Sequence, residues 1–99
     1  MRPIHTARLD KVRPVVVLTR EHVRPHMRRV TVAAITTTVR GLATEVPVGP
    51  ANGLAAFSVI SCDNIETILA TSLGPQVGVL LDAQEVALAD AIHAAFDLI

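Results

Sequence analysis

The chain has 99 residues, 51% of them hydrophobic, which is enough for one domain with a real core; only two residues, Phe57 and Phe96, are aromatic, so that core must be built from Val, Ile, Leu and Ala. Net charge is zero, and the single cysteine, Cys62, excludes an intramolecular disulfide and fits a reducing compartment. No apolar run has the length of a membrane span and the N-terminus lacks the apolar segment of a secretory signal, so a cytoplasmic protein without membrane contact is expected.

The zero conceals a segregation. All nine basic residues lie at or before Arg40, against two acids in the same stretch; the other seven acids follow it. The first forty residues therefore carry +7 and the rest −7. This pattern predicts a basic face, built mostly from arginine, whose guanidinium forks suit phosphate oxygens. The other reading is that the two halves interleave and neutralise each other as surface pairs.

In chain order, Ile4 to Leu9 predicts a first strand and Asp10-Lys11 a tight turn. Arg13-Pro14 opens the apolar run Val15-Val16-Val17-Leu18. Proline suits the first position of a strand and keeps the residue before it extended, so Arg13 is expected just outside the sheet. Thr19 to Arg29 shows no period and predicts a long basic loop. Its arginines, Arg20, Arg24, Arg28 and Arg29, either face phosphate or are simply solvated. His22 and His26 could reach a substrate from there, but their spacing does not predict a metal site.

The stretch that organises the rest is Val30 to Arg40. Val30 to Ile35 reads as a central strand, uncharged and rich in β-branched residues. It then turns polar through Thr36, Thr37 and Thr38 to Arg40, which delivers hydroxyls and a cation to a surface; the plainer reading is a strand running into a solvated loop. Ala43 to Val48 predicts an edge strand and Gly49 to Gly53 a turn. Phe57 to Cys62 predicts a strand ended by Asp63-Asn64, and Ile65 to Leu73 a short irregular or helical connection. Gln76 to Leu81 predicts the last strand.

Asp82 is expected to cap a helix, with Glu85 at a capping-box spacing and Val86, Ala89, His93 and Phe96 forming its apolar stripe, widened by Leu88 and Ile92. Cys62, among apolar and small neighbours, reads as a buried, inert thiol. The sum is a mainly β protein, about six short strands in a small antiparallel barrel with a C-terminal helix, forming a single domain over residues 1–99.

Four segments carry a resemblance. Leu9-Asp10-Lys11-Val12-Arg13-Pro14-Val15-Val16-Val17-Leu18 resembles the glycine-containing, Arg-Pro-Val segment of MazF/PemK-type toxins, with the glycine stretch here shortened to Asp10-Lys11-Val12. Thr31 to Thr37 resembles their strand ending in threonine. Ser58-Val59-Ile60-Ser61-Cys62-Asp63-Asn64-Ile65-Glu66-Thr67-Ile68 resembles their following strand and turn. Gln76-Val77-Gly78 and the Asp82 helix resemble their closing strand and last helix.

The resemblance implies a compact SH3-like barrel that forms a homodimer. It implies a toxin of a type II toxin–antitoxin pair, a sequence-specific, metal-independent endoribonuclease that cuts single-stranded RNA without a cofactor and is held by a MazE-like antitoxin. By motif, Arg13 and Thr36 match the family's catalytic pair, and Asp63 and Asn64 match substrate-binding positions. With Lys11, Thr37, Arg40 and the loop arginines Arg20, Arg24, Arg28 and Arg29 they make up the expected RNA-binding set. The same barrel also serves CcdB-like toxins, which bind gyrase and cut no RNA, and a degenerate toxin could survive as an inactive binding module.

Overall fold

In the computed structural model, which describes residues 1–98, the valine-rich runs form six strands and the chain ends in one α-helix. The strands are β1 (Pro3–Arg8), β2 (Val12–Val17), β3 (Arg29–Thr36), β4 (Glu45–Val48), β5 (Ser58–Leu69) and β6 (Leu73–Val79), followed by α1 (Asp82–Ala95). They make one antiparallel sheet in the order β4-β5-β3-β2-β1-β6.

Consecutive residues of a strand face opposite sides, so a run without polar breaks must be covered on both. Val15, Val16 and Val17 are all buried. Val16 joins Ile4, Ala33, Ile35 and Ile60 in the cluster that receives Leu88 and Ala91 of α1. Val15 and Val17 join Ala7, Val30 and Val32 on the other face, covered by Leu9, Ile68 and Leu73.

The two edge strands, β4 and β6, do not pair with each other, and the sheet is fastened across this seam by two side-chain amides. Asn52 and Gln84 hydrogen-bond each other reciprocally. Asn52 also accepts from the Gly49 N–H and donates to the Val79 carbonyl, both at 3.0 Å. Gln84 accepts from the Leu81 N–H at 3.0 Å and donates to the Pro47 carbonyl at 3.2 Å. The approach is so close that a Cβ on Gly78 would run into the Asn52 carbonyl oxygen, and Gly53 there has a φ of +89°.

Five expectations change. Arg13 lies inside the sheet, in β2, in register with Ala7 of β1. Asp63-Asn64 do not end β5. The partner of β3 jumps from Ser61 at Ala34 to Ile65 at Ala33, so Cys62, Asp63 and Asn64 form a bulge and the strand continues to Leu69. The predicted connection from Ile65 to Leu73 is therefore mostly strand. Asp82 is not the helix cap either; that position is Leu81, and Gln84 rather than Glu85 reaches back to it.

The last change is the helix face. Gln84 is tied to the seam, which sets the rotation of α1, and Ala87, Ala91 and Ala95 let the helix approach the sheet closely. Leu88 and Ala91 are buried as a result, whereas the expected stripe Val86, Ala89, His93 and Phe96 faces outward, with Val86 65% and Phe96 55% exposed.

Candidate active site

Pro14 has no N–H to donate, and the ladder between β2 and β3 stops one residue short of it, at Val15 opposite Ala34. The paired residues run Val17 with Val32, Val16 with Ala33 and Val15 with Ala34. Continuing that register past the last bond sets Arg13 opposite Thr36, on the face that carries Val15 and Ala34. The strands part here, and a groove of about 660 Å³ opens between them. Lys11, Arg13, Thr36, Thr37, Arg40, Asp63 and Asn64, seven of the residues expected to act on RNA, all line it.

Arg13 does not stand free. Its guanidinium fork donates to both carboxylate oxygens of Asp10, Nε to Oδ1 at 3.0 Å and an Nη to Oδ2 at 3.1 Å. The Lys11 backbone N–H also donates to Asp10, at 3.0 Å. The arginine hydrogen bond, with help from that N–H, holds the Asp10 carboxyl down at about 2, and Asp10 in turn pushes the guanidinium above its ordinary value. The two-pronged contact has the geometry in which arginine takes a phosphate.

Thr36 Oγ1 accepts the Thr38 N–H at 3.1 Å, so its own hydroxyl proton is left to donate. The loop that follows is pinned by Glu45, whose carboxylate accepts from the backbone N–H groups of Arg40 and Leu42, each as close as 3.1 Å. Gly41 makes the loop's turn at φ +71°. On the opposite wall the β5 bulge is braced by two contacts. The Thr44 hydroxyl donates to Asp63 Oδ2 at 2.7 Å, and the Asn64 amide donates to Ser61 Oγ at 3.1 Å. Cys62 turns inward between them, and burial, aided by the Asp63 charge, pushes its thiol up to about 11.

The other four arginines are elsewhere. Antiparallel pairing sends Thr19–Arg29 to the far end of β2 and β3, so none of Arg20, Arg24, Arg28 and Arg29 lines the groove; Arg29 and Thr36 stand about 23 Å apart, seven steps along β3. His22 and His26 go with them, so neither imidazole faces the groove. Among the described residues no group of three or more His, Cys, Asp and Glu side chains converges as a metal site, and no helix is long and apolar enough to cross a membrane. Asp10, Thr44, Glu45 and Ser61 are the site residues that the sequence reading leaves out. An acid three residues before an arginine, across a two-residue turn, was the available signal for Asp10.

The family model of PemK-like, MazF-like toxins of type II toxin–antitoxin systems matches residues 2–96. The chain belongs to this family. The toxin is 67% identical over 98 residues to endoribonuclease MazF3 of Mycobacterium tuberculosis, covering 99% of this chain and 95% of that protein. Its fold superimposes on the M. tuberculosis toxin MazF-mt6 with a TM-score of 0.97 at 66% identity, covering 99% of each chain. It also matches a mycobacterial endoribonuclease in complex with its cognate antitoxin, with a TM-score of 0.87 at 26% identity, over 98% of this chain and 93% of that one. The small antiparallel barrel with one C-terminal helix is thus the toxin fold, closed at its seam by side chains.

Proposed function

We propose that this toxin is a sequence-specific endoribonuclease that cuts single-stranded RNA by attack of the RNA's own 2′-hydroxyl, with no metal ion. Supporting it is one observation above the others: Arg13 and Thr36 come from different strands and both line one groove, just past the Val15–Ala34 pair at which the ladder beside Pro14 ends. The 67% identity to a named endoribonuclease covers both residues' surroundings.

In this reading the phosphate displaces the Asp10 carboxylate from the Arg13 fork. The 2′-oxygen bonds to phosphorus as the bond from phosphorus to the 5′-oxygen breaks, leaving a 2′,3′-cyclic phosphate and a 5′-hydroxyl. A guanidinium with a pKa above ~12 keeps its protons, so Arg13 stabilises the charge that builds on the phosphorane. The Thr36 hydroxyl donates to a non-bridging oxygen. The 2′-proton passes to water or to the displaced Asp10, and the leaving 5′-oxygen takes a proton from solvent. Lys11 and Arg40 hold neighbouring phosphates, while Thr37, Asp63 and Asn64 offer hydrogen bonds to the bases.

The partners follow the same reading. A cognate MazE-like antitoxin covers the groove or its rim. Residues 1–99 act as one cytoplasmic domain that pairs with a second copy, for which the outward Val86 and Phe96 of α1 offer apolar surface. The test is cleavage of a long, mixed-sequence RNA by purified protein in EDTA, with the cut ends sequenced. Cuts at one short motif with 5′-hydroxyl ends, lost in both Arg13→Ala and Thr36→Ala, are expected. Intact RNA, or full cutting by both variants, would overturn it and leave a gyrase-directed or purely binding toxin.

A further inference from the structure

The pole opposite the groove carries charge that the cutting reaction does not use. Thr19–Arg29 is held there in one conformation. The Leu18 N–H donates to the Thr31 carbonyl, and the Thr31 N–H to Thr19 Oγ1, each at 2.8 Å. A 3-10 turn over Arg24–His26 folds the loop back, with the Arg24 N–H on the Arg20 carbonyl at 3.1 Å. The Ala70 N–H donates to the Arg28 carbonyl at 2.7 Å, joining the loop to the turn after β5.

Four guanidiniums project from this frame. Those of Arg20, Arg24, Arg28 and Arg29 make no ion pair and no hydrogen bond among the described residues, and three of the four residues are exposed. Arg2 and Arg13 behave differently. Arg2 is spent on Glu85 at 3.1 Å and on the Val17 and Leu18 carbonyls, and Arg13 on Asp10. Nearby acids do not balance the four. Glu21 is the loop's one acid, Glu85 is already engaged, and the adjoining turn Ala70–Ser72 offers Thr71 and Ser72 hydroxyls but no carboxylate. A cleft of about 240 Å³ beside the loop is walled by Arg2, Arg20 and Arg24 together with Glu21 and Glu85.

We propose that this pole is a second RNA-backbone site, separate from the cutting groove, which grips a flanking segment of the same RNA. It rests on RNA being the substrate. Uncommitted arginine forks with hydroxyls and imidazoles beside them are the contact set for phosphate and sugar oxygens. One polyanion can bridge the span from Thr36 to Arg29, about 23 Å along β3, and the second contact then forms at high effective concentration. Long RNAs are thereby bound and cut better than short ones, independently of the sequence at the cut.

The test uses the full chain with Arg20, Arg24, Arg28 and Arg29 all changed to Gln, its fold checked by circular dichroism. A six-nucleotide substrate cut at its centre carries only three nucleotides on either side, so it has far fewer phosphates to offer the pole than a long RNA. Its cleavage is expected to stay within about twofold of wild type. Cleavage of a 60-nucleotide RNA containing the same site is expected to fall about tenfold or more in kcat/KM at low salt, and the matching four-lysine variant to keep most of it. Equal losses on both substrates, or no loss on either, would overturn the proposal.

Binding is read separately, on an Arg13→Ala background, where cutting is expected to be slow enough for equilibrium measurement. The slope of log affinity against log salt should drop by about 0.7 for each arginine engaged. An unchanged slope overturns the second site even if cutting is confirmed. Wild-type protein that cuts neither RNA would overturn the proposed function and leave the binding slope to decide the pole. An acidic polyglutamate peptide that binds the pole when long RNA does not would assign it to a protein partner and overturn the proposal.

Discussion

Asn52 and Asp10 are both polar residues at turns, and both spend their side chains on several hydrogen bonds, yet they sit at opposite extremes of exposure. Asn52 is 2% exposed, and its reciprocal bond with Gln84 is surrounded by four backbone contacts that use up both amides. The Asp10 side chain is 69% exposed, and its partner Arg13 makes no other side-chain hydrogen bond among the described residues. The same chemistry therefore serves two ends. A buried, fully satisfied amide pair has no substitute partner when one member is lost, so it fixes the fold. An exposed ion pair trades its partner for solvent or a phosphate at little cost, so it can be opened by substrate.

Substitutions at the groove should break activity and spare the fold. Arg13→Ala and Thr36→Ala are each expected to lower RNA cleavage by roughly 10² to 10³-fold, the range for removing one donor to a developing charge, with melting temperatures close to wild type in calorimetry. Substitutions at the seam should do the reverse. Asn52→Ala leaves the Val79 carbonyl and Gly49 N–H without their partner and should cost about 2–4 kcal/mol in urea unfolding, while the protein still folded cuts at close to the wild-type rate. Gly78→Ala, whose Cβ meets the Asn52 carbonyl, should destabilise by a similar amount.

A pH series sharpens the contrast. The Asp10 carboxyl is depressed from 3.8 to about 2, so its pairing with Arg13 is complete above about pH 5 and is lost only as pH falls through 2. Asp10→Asn should therefore change the melting temperature by the same amount at every pH from 5 to 9, a small amount because the pair is exposed, and the free enzyme should show no Asp10 step in that range. A limb in the kcat profile that disappears in Asp10→Asn would show that the phosphate, by taking Arg13 away, lets Asp10 titrate. The smallest effect is at Cys62. Its thiol is buried and pushed up to about 11, so iodoacetamide at pH 8 should leave the folded protein unlabelled and fully active.

What could be read in advance follows a physical line. Val15–Val17 and Val30–Ile35 declare themselves because strand burial is written in residue type, and Arg13 with Thr36 follows from motif and from the antiparallel register between those two runs. The same register sends the loop arginines to the far pole, a consequence of strand direction that composition cannot express. The bulge at Cys62–Asn64 was hidden because a polar pair after an apolar run has the look of a strand end. The helix face is not legible in the sequence because Gln84, which sets its rotation, resembles any other surface glutamine until Asn52 is placed beside it.

That last contact also orders events in time. Asn52 lies midway along the chain, but Gln84 is in the first turn of the final helix, 32 residues later. A nascent chain has all six strands out of the ribosome before the residue that latches the sheet arrives. The seam is thus completed by the last helix, and a toxin cut short before it keeps only the Asn52–Val79 hydrogen bond between the two edges of its sheet.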